Sequence, residues 1–346
     1  MMNLHDLVRP NIWNLTPYSC ARSEFSGKAS VFLDANENPF NSPYNRYPDP
    51  LQVELKRLIS AERFISADQI FLGVGSDECI DLAYRVFCEP GVDNAVAMSP
   101  SYGMYQVCAD VNNIGYREVP LTDDFQLDVK AMFAAVDSHT KLMWLCSPNN
   151  PTGNAIDIGV IRDVCQRFHG IVIVDEAYGD FSSKGTMLRY LDQYPNLVVL
   201  QTMSKAWGSA SVRLGMAFAS PEIIAIYNKV KYPYNISLLT QQYAINAMRH
   251  SEDVRRWVDT ILSNMKVLVN DLQSLPCVRH IYPSDANFVL VRVEDADALY
   301  DFLLARGIIV RNRNRVRKCL GCLRITVGTA DENNELINAL SEYGAK

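Results

Sequence analysis

The stretch Ile171-Val172-Ile173-Val174-Asp175-Glu176-Ala177-Tyr178 sets four β-branched residues directly before two acids. A short, uninterrupted apolar run of this kind reads as a strand buried on both faces. A carboxylate at its end is costly unless something pairs with it. The same arrangement occurs at Leu197-Val198-Val199-Leu200, which leads into Thr202-Met203-Ser204-Lys205. It occurs again at Leu142–Cys146, which leads into Ser147-Pro148-Asn149-Asn150-Pro151-Thr152-Gly153. Working outward, strands are expected at Ile70–Leu72, Ala95–Met98, Tyr116–Val119 and Leu214–Phe218. Helices are expected at Leu51–Ile59, at Ile158–Phe168 and after Gly75, where Ile80, Ala83, Tyr84 and Phe87 form an apolar stripe. Ser76 or Asp77 is placed to cap that last helix. Strands alternating with helices predict an α/β fold with a mostly parallel, helix-flanked sheet.

The pattern changes after Pro221. A helix over Ile223–Val230 is followed by a long helical stretch from Thr240 to Leu275, broken near Ser251. Strands at Phe288–Val293, Ile308–Val310 and Leu323–Val327 then alternate with helices at Ala296–Ala305 and Glu332–Tyr343. We expect residues 36–250 to form a large domain. Residues 1–35 plus 251–346 would form a smaller α+β domain, made of the C-terminal part and the N-terminal segment. A chain of 346 residues is long enough for two such units.

Apolar residues make up 48% and charged residues 21%, and the net charge is −6, so no general attraction to nucleic acid or to an anionic membrane is expected. No stretch has the length of a membrane span, and residues 1–15 lack the apolar core of a signal peptide. Nine cysteines, an odd number among apolar neighbours, point to reduced thiols in a cytoplasm. Cys319-Leu320-Gly321-Cys322 is a lone pair with no second pair or histidine nearby, a poor zinc site, so no metal is expected.

Side chains with chemistry follow several of the expected strands, where ligands bind in open α/β sheets. Lys205 supplies an amine that becomes nucleophilic when burial or nearby cations lower its pKa. Asp175 can keep a heteroaromatic ring nitrogen protonated, and Tyr178 and Asn150 can donate to a ring oxygen. Ser76 and Asp77, at a helix start, can hold a phosphate through backbone N–H groups, with Ser204, Thr202 and Arg213 adding donors. Tyr102 can stack on a ring face. Together these are the groups that pyridoxal 5′-phosphate requires. In the tail, Arg324 is embedded in the strand-like run Cys322–Val327 and needs an anion, and Arg311 ends another run. Arg313, Arg315 and Arg317 read as a solvated basic loop.

These motifs together resemble the pyridoxal-phosphate aminotransferases of the aspartate aminotransferase fold, from Asp34-Ala35-Asn36-Glu37-Asn38-Pro39 to the last strand. Arg46-Tyr47-Pro48-Asp49-Pro50, Gly75-Ser76-Asp77-Glu78, Ser101-Tyr102-Gly103-Met104-Tyr105, Cys146–Gly153 and Gly321–Thr329 resemble in particular the histidinol-phosphate subgroup. The resemblance implies a ping-pong transamination of histidinol phosphate with 2-oxoglutarate, giving imidazole acetol phosphate and glutamate. Lys205 would hold the cofactor and then move the proton, with Asp175 and Tyr178 beside it. Tyr47 would reach the cofactor phosphate of the other subunit of a homodimer. Arg311 and Arg324 would hold the substrate's phosphate arm, with Tyr18 and Asn150 nearby, and Arg324 would hold the carboxylate of glutamate. Between Lys205 and Arg213 the chain departs from the subgroup's aliphatic pattern at Trp207, which bears on local packing. Three other readings stay open: a decarboxylase acting on threonine phosphate, an aromatic amino acid aminotransferase, and a non-catalytic pyridoxal phosphate-binding regulatory domain. Negative charge and the lack of a helix-turn-helix pattern weigh against the last.

Overall fold

The apolar runs become the inner strands of one sheet in the computed structural model of the chain, which describes residues 3–20 and 30–344. Its strands are β1 (Ile70–Val74), β2 (Asn94–Ser99), β3 (Gly115–Pro120), β4 (Thr140–Cys146), β5 (Ile171–Asp175), β6 (Leu197–Thr202) and β7 (Leu214–Phe218). They lie in the order β1-β7-β6-β5-β4-β2-β3. Strands β3, β2, β4, β5 and β6 run parallel, and only β7 is antiparallel to its neighbours β6 and β1. Every residue of β2, β5, β6 and β7 is buried, as expected where helices cover both faces. Strand β3 lies at the edge, and its Arg117 and Glu118 are exposed. Charge there discourages pairing with another chain.

The helix Gly75–Phe87 buries the expected stripe of Ile80, Ala83, Tyr84 and Phe87. Complete burial of such a side chain contributes about 1.5–3 kcal/mol. Trp144 of β4 is fully buried, stacked on Tyr105 with ring centroids 4.7 Å apart and tilted against Tyr84 at 5.5 Å. The long helical stretch divides at His250 into Leu238–Arg249 and Ser251–Gln273. Ser237 caps the first of these, its hydroxyl accepting from Thr240 N at 3.1 Å.

A second, antiparallel sheet contains β8 (Val278–Ile281), β9 (Phe288–Val293), β10 (Arg311–Asn312) and β11 (Cys322–Thr326), in the order β10-β11-β9-β8. Its two faces serve different cores. Phe288 and Leu290 of β9 join the larger core, whereas Val289, Val291 and Val293 pack with Leu323 and Ile325 in the smaller one. This is the two-residue period of a strand. The helix Ser251–Gln273 contributes Val254 and Val258 to the larger core and Leu268 and Leu272 to the smaller. Near the N-terminus, Val8 joins the larger core and Arg9 N donates to Val86 O at 3.0 Å.

Several local expectations need correction. Residues Ile308–Val310 are not a strand; pairing begins at Arg311, opposite Arg324. Strand β8 and the helices Met104–Val111 and Val129–Ala134 were not expected from the sequence, because each is too short for a periodic apolar pattern to stand out. They form because neighbouring elements pair with them or cover them. No helix among the described residues is long and apolar enough to cross a membrane.

Candidate active site

Strand register brings distant side chains to one rim of the large sheet. Cys146 pairs with Asp175, Asp175 with Leu200, Thr202 with Gly215, and Val74 with Leu214. The chain leaving β1, β2, β4, β5 and β6, and the chain entering the antiparallel β7, therefore surround one cavity of about 720 Å³. Ser76, Asp77, Tyr102, Asn150, Asp175, Tyr178, Thr202, Ser204, Lys205 and Arg213 all line it. The second sheet closes it with Arg311, Arg313 and Arg324.

Asp175 lies at one wall, 2% exposed. Its Oδ2 accepts from the Tyr105 hydroxyl at 2.6 Å and its Oδ1 from Ala177 N at 3.0 Å. Burial raises its pKa, and these two donors oppose the rise. It makes no ion pair among the described residues, so a cationic N–H in the cavity would complete it. Tyr105 was missed as a site residue by sequence reasoning, although it belongs to the quoted Ser101–Tyr105 motif.

The anion cradle depends on two glycines. Gly75 adopts φ +69°, and a Cβ there would sit 2.5 Å from Arg213 Nη2. A Cβ on Gly215 would sit 2.2 Å from Ser76 N. Strand and helix start thus approach closely enough to set the Arg213 guanidinium over the helix N-terminus, where unpaired N–H groups favour an anion. Arg213 donates to Ala210 O at 3.1 Å and to Asp77 Oδ2 at 3.3 Å. Ser76 and Asp77 do not cap the helix as expected. It opens at Gly75, with Val74 at the cap, and both residues lie in its first turn. Glu78 instead reaches back, its Oε2 accepting from Val74 N at 2.5 Å. Thr202 Oγ1 lies 3.0 Å from Ser204 Oγ and 3.2 Å from Leu214 O, which holds the turn before the lysine.

Lys205 opens onto the cavity, with Nζ 5.6 Å from the centre of the Tyr178 ring. Burial, and then the charges of Arg324 and Arg213, lower its pKa, and Asp175 opposes them. Tyr178 is 7% exposed and packs edge-on against Phe288 at 5.1 Å, and burial raises its pKa. Tyr102 donates to Asp77 Oδ1 at 3.2 Å. Trp207 is buried in the larger core, and the turn around it is fastened by Ser209 N to Met203 O at 3.0 Å and by Thr240 Oγ1 to Val212 O at 3.2 Å.

Asn149, fully buried, donates to Pro100 O at 2.9 Å and to Thr152 Oγ1 at 2.7 Å, joining the loops after β2 and β4. Its neighbour Asn150 faces the cavity and accepts from Arg324 Nη1 at 2.6 Å through Oδ1. The Asn150 amide nitrogen is then the group left to donate inward. Arg324 lies on the same face of β11 as Cys322, with its guanidinium 5.2 Å from the Phe288 ring centre.

One sequence expectation changes here, and two of the expected residues lie outside this cavity. Arg313 is not part of a solvated loop; it lines the cavity, while Arg315 and Arg317 are exposed. Tyr18 is 75% exposed and is not brought to the cavity of its own chain. Tyr47 lies in a separate pocket with Glu37 and Leu238, stacked on Tyr234 at 4.4 Å. Cys319 and Cys322 are free and buried, and among the described residues no histidine, cysteine and carboxylate cluster has metal-binding geometry.

An amine among cations, a buried carboxylate without a cationic partner and a glycine-lined anion cradle on one rim fit pyridoxal 5′-phosphate. The class defined by fold and cavity is a pyridoxal-phosphate enzyme of the aminotransferase type. The family model for class I and II aminotransferases matches residues 29–340. The histidinol-phosphate aminotransferase of Parabacteroides distasonis is 55% identical over 340 residues, 98% of this chain and 99% of that one. The chain therefore belongs to the class I and II aminotransferases and, within them, to the histidinol-phosphate aminotransferases. Two solved structures carry the fold. The histidinol-phosphate aminotransferase of Clostridium acetobutylicum has a TM-score of 0.81 at 22% identity, over 87% of this chain and 91% of that chain. That of Sinorhizobium meliloti, in complex with pyridoxal 5′-phosphate, has 0.78 at 24% identity, over 89% of each.

Proposed function

We infer that this chain transfers the amino group of histidinol phosphate to 2-oxoglutarate, giving imidazole acetol phosphate and glutamate, as a step of histidine biosynthesis with pyridoxal 5′-phosphate as cofactor. The observation that carries this reading is the opposition, within one cavity, of a cation-flanked lysine to arginines that have no acid partner. When bound, the cofactor supplies an aldehyde for the substrate amine and a ring that draws electrons from Cα. Asp175 would hold the ring nitrogen as N–H. Tyr178 and the amide of Asn150 would donate to the ring oxygen. Ser76, Ser204, Thr202, Arg213 and the backbone at Asp77 would hold the phosphate, with Tyr102 against the ring face. Lys205, neutral at a lower pH than an ordinary lysine, would take the proton from the substrate's Cα and return it to the C4′ carbon of the cofactor. Arg324 and Arg311 would bind the phosphate arm of one substrate, and Arg324 the carboxylate of the other, so the two occupy the cavity in turn.

The same reading makes the active protein a homodimer in which Tyr47 acts on the partner's site. Its position outside the cavity of its own chain supports this. It divides the chain into a cofactor-binding body at 36–250 and a substrate-side unit at 251–346 with the leading segment 1–35. The junction at His250 and the separate second core support that division, while Val8 ties the leading residues to the body as well. Nine free, buried cysteines support a reducing, cytoplasmic location.

The test is an absorbance titration of the cofactor-loaded enzyme. Histidinol phosphate alone should remove the visible band and 2-oxoglutarate should restore it. A band indifferent to histidinol phosphate would overturn the assignment, and release of carbon dioxide from threonine phosphate would replace it with the decarboxylase.

A further inference from the structure

The arginine wall contains more cations than a carboxylate needs. Arg311, Arg313 and Arg324 line the same cavity, and none of them makes an ion pair with an acid among the described residues. The Nε atoms of Arg313 and Arg324 are buried without an acceptor. Buried cationic donors left open in this way are costly until an anion completes them.

Arg313 is aimed by its backbone. Its N–H donates to Cys322 O at 2.9 Å, and its carbonyl accepts from Val316 N at 2.9 Å. The flanking Asn312 and Asn314 both donate to Asp297, at 2.6 and 2.8 Å, and Asn314 Oδ1 accepts from Gly321 N at 2.7 Å. A hairpin fastened at so many points presents its side chain rather than letting it swing. Burial and the charges of Arg324 and Arg311 lower the pKa of Arg313 to about 10, which leaves it charged at neutral pH.

A carboxylate brings one charge and two oxygens, which a single forked guanidinium satisfies. A phosphate monoester brings about −1.5 to −2 charges and three acceptor oxygens. A third guanidinium therefore favours the phosphate ester over the carboxylate. We propose that Arg313 is the specificity-determining residue by which this cavity prefers a phosphate monoester substrate to an amino acid. The inference rests on the function proposed above.

The test compares wild-type and Arg313→Gln holoenzyme in single half-reactions read by the visible band, with histidinol phosphate and with glutamate, and adds inorganic phosphate as competitor. Loss of a charge-assisted bond should weaken histidinol phosphate roughly 10-fold or more, glutamate much less, and inhibition by phosphate in parallel with histidinol phosphate. An unchanged ratio of the two substrate constants would overturn the inference. If the wild type ignores histidinol phosphate, the proposed function fails instead. Phosphate inhibition then still decides Arg313: weaker in the variant upholds it, unchanged removes it. Should the Gln variant not fold, Arg313→Lys serves, because it keeps the charge and loses the fork. A reduced preference supports the inference, and a wild-type preference refutes it.

Discussion

The Tyr105 hydroxyl donates to Asp175 Oδ2 at 2.6 Å, and both residues are buried. The tyrosine is held from the other side by Trp144, stacked at 4.7 Å, and its carbonyl accepts from Tyr84 Oη at 2.8 Å. The carboxylate is thereby oriented by a group three residues along from Tyr102, which lines the cavity. Tyr105→Phe removes one of the two donors that favour the charged form of Asp175. Cofactor affinity should fall, and unfolding should become easier by about 1–3 kcal/mol. Absorbance titration and denaturant unfolding would check this, and no change in either would show that the bond is idle.

Gly75→Ala should loosen the anion cradle. The new methyl would meet Arg213 Nη2 at 2.5 Å, on a backbone at φ +69° that L side chains rarely adopt. The strain alone costs roughly 1–2 kcal/mol. The displaced guanidinium should weaken cofactor binding by about tenfold or more. Equilibrium titration with pyridoxal phosphate measures it, and wild-type affinity in the variant would show that Arg213 does not serve the cradle.

Lys205→Ala should yield protein to which borohydride fixes no cofactor. The lysine opens directly onto the cavity, with its amine 5.6 Å from the Tyr178 ring centre. Mass spectrometry of the reduced protein reads this, and cofactor still attached in the variant would mean that another amine holds it.

Lys56 should make stability depend on pH. It is 7% exposed beside Lys231, whose Nζ already donates to the carbonyls of Pro50, Tyr232 and Pro233. Burial, then Lys231, lower its pKa from 10.5 to about 8. Between those two values the folded protein binds fewer protons at Lys56 than the unfolded chain does, so stability rises with pH across that window. Below it the penalty is fully present. Lys56→Met should therefore stabilise the protein at neutral pH, by up to about 3 kcal/mol, and lose that advantage above the window. Denaturant unfolding at several pH values tests it, and parallel profiles for the two proteins would exclude the buried lysine as the cause.

Tyr47 offers a test of the shared site. Mixing Lys205→Ala chains with Tyr47→Ala chains would create hybrid dimers with one intact site, and roughly a quarter of wild-type activity should return. If mixtures stay as inactive as their parents, the tyrosine does not act across subunits.

Much of the fold, and many of the side chains that line the cavity, could be read along the chain. Four β-branched residues before Asp175, and four apolar residues ahead of Lys205, signal buried strands ending at a functional rim without any knowledge of their partners. Residues marked by such local grammar, Asp175, Lys205, Asn150 and Arg213, were legible as cavity residues for that reason. Tyr105, Asn149 and Arg313 were not. An aromatic at helical spacing, an asparagine in a turn and an arginine in a basic run look the same whether they orient a catalytic group or face solvent.

The sequence by itself determined which segments become buried strands, and which reactive side chains follow them, because hydrophobic period and the cost of burying charge act within a few residues. Only the tertiary structure decided which of these meet. The pairing of Cys146 with Asp175, of Thr202 with Gly215 and of Arg311 with Arg324 is set by strand register and by the close approach permitted at Gly75 and Gly215. Those contacts join residues far apart in the chain, and their geometry follows from packing two cores around one cavity.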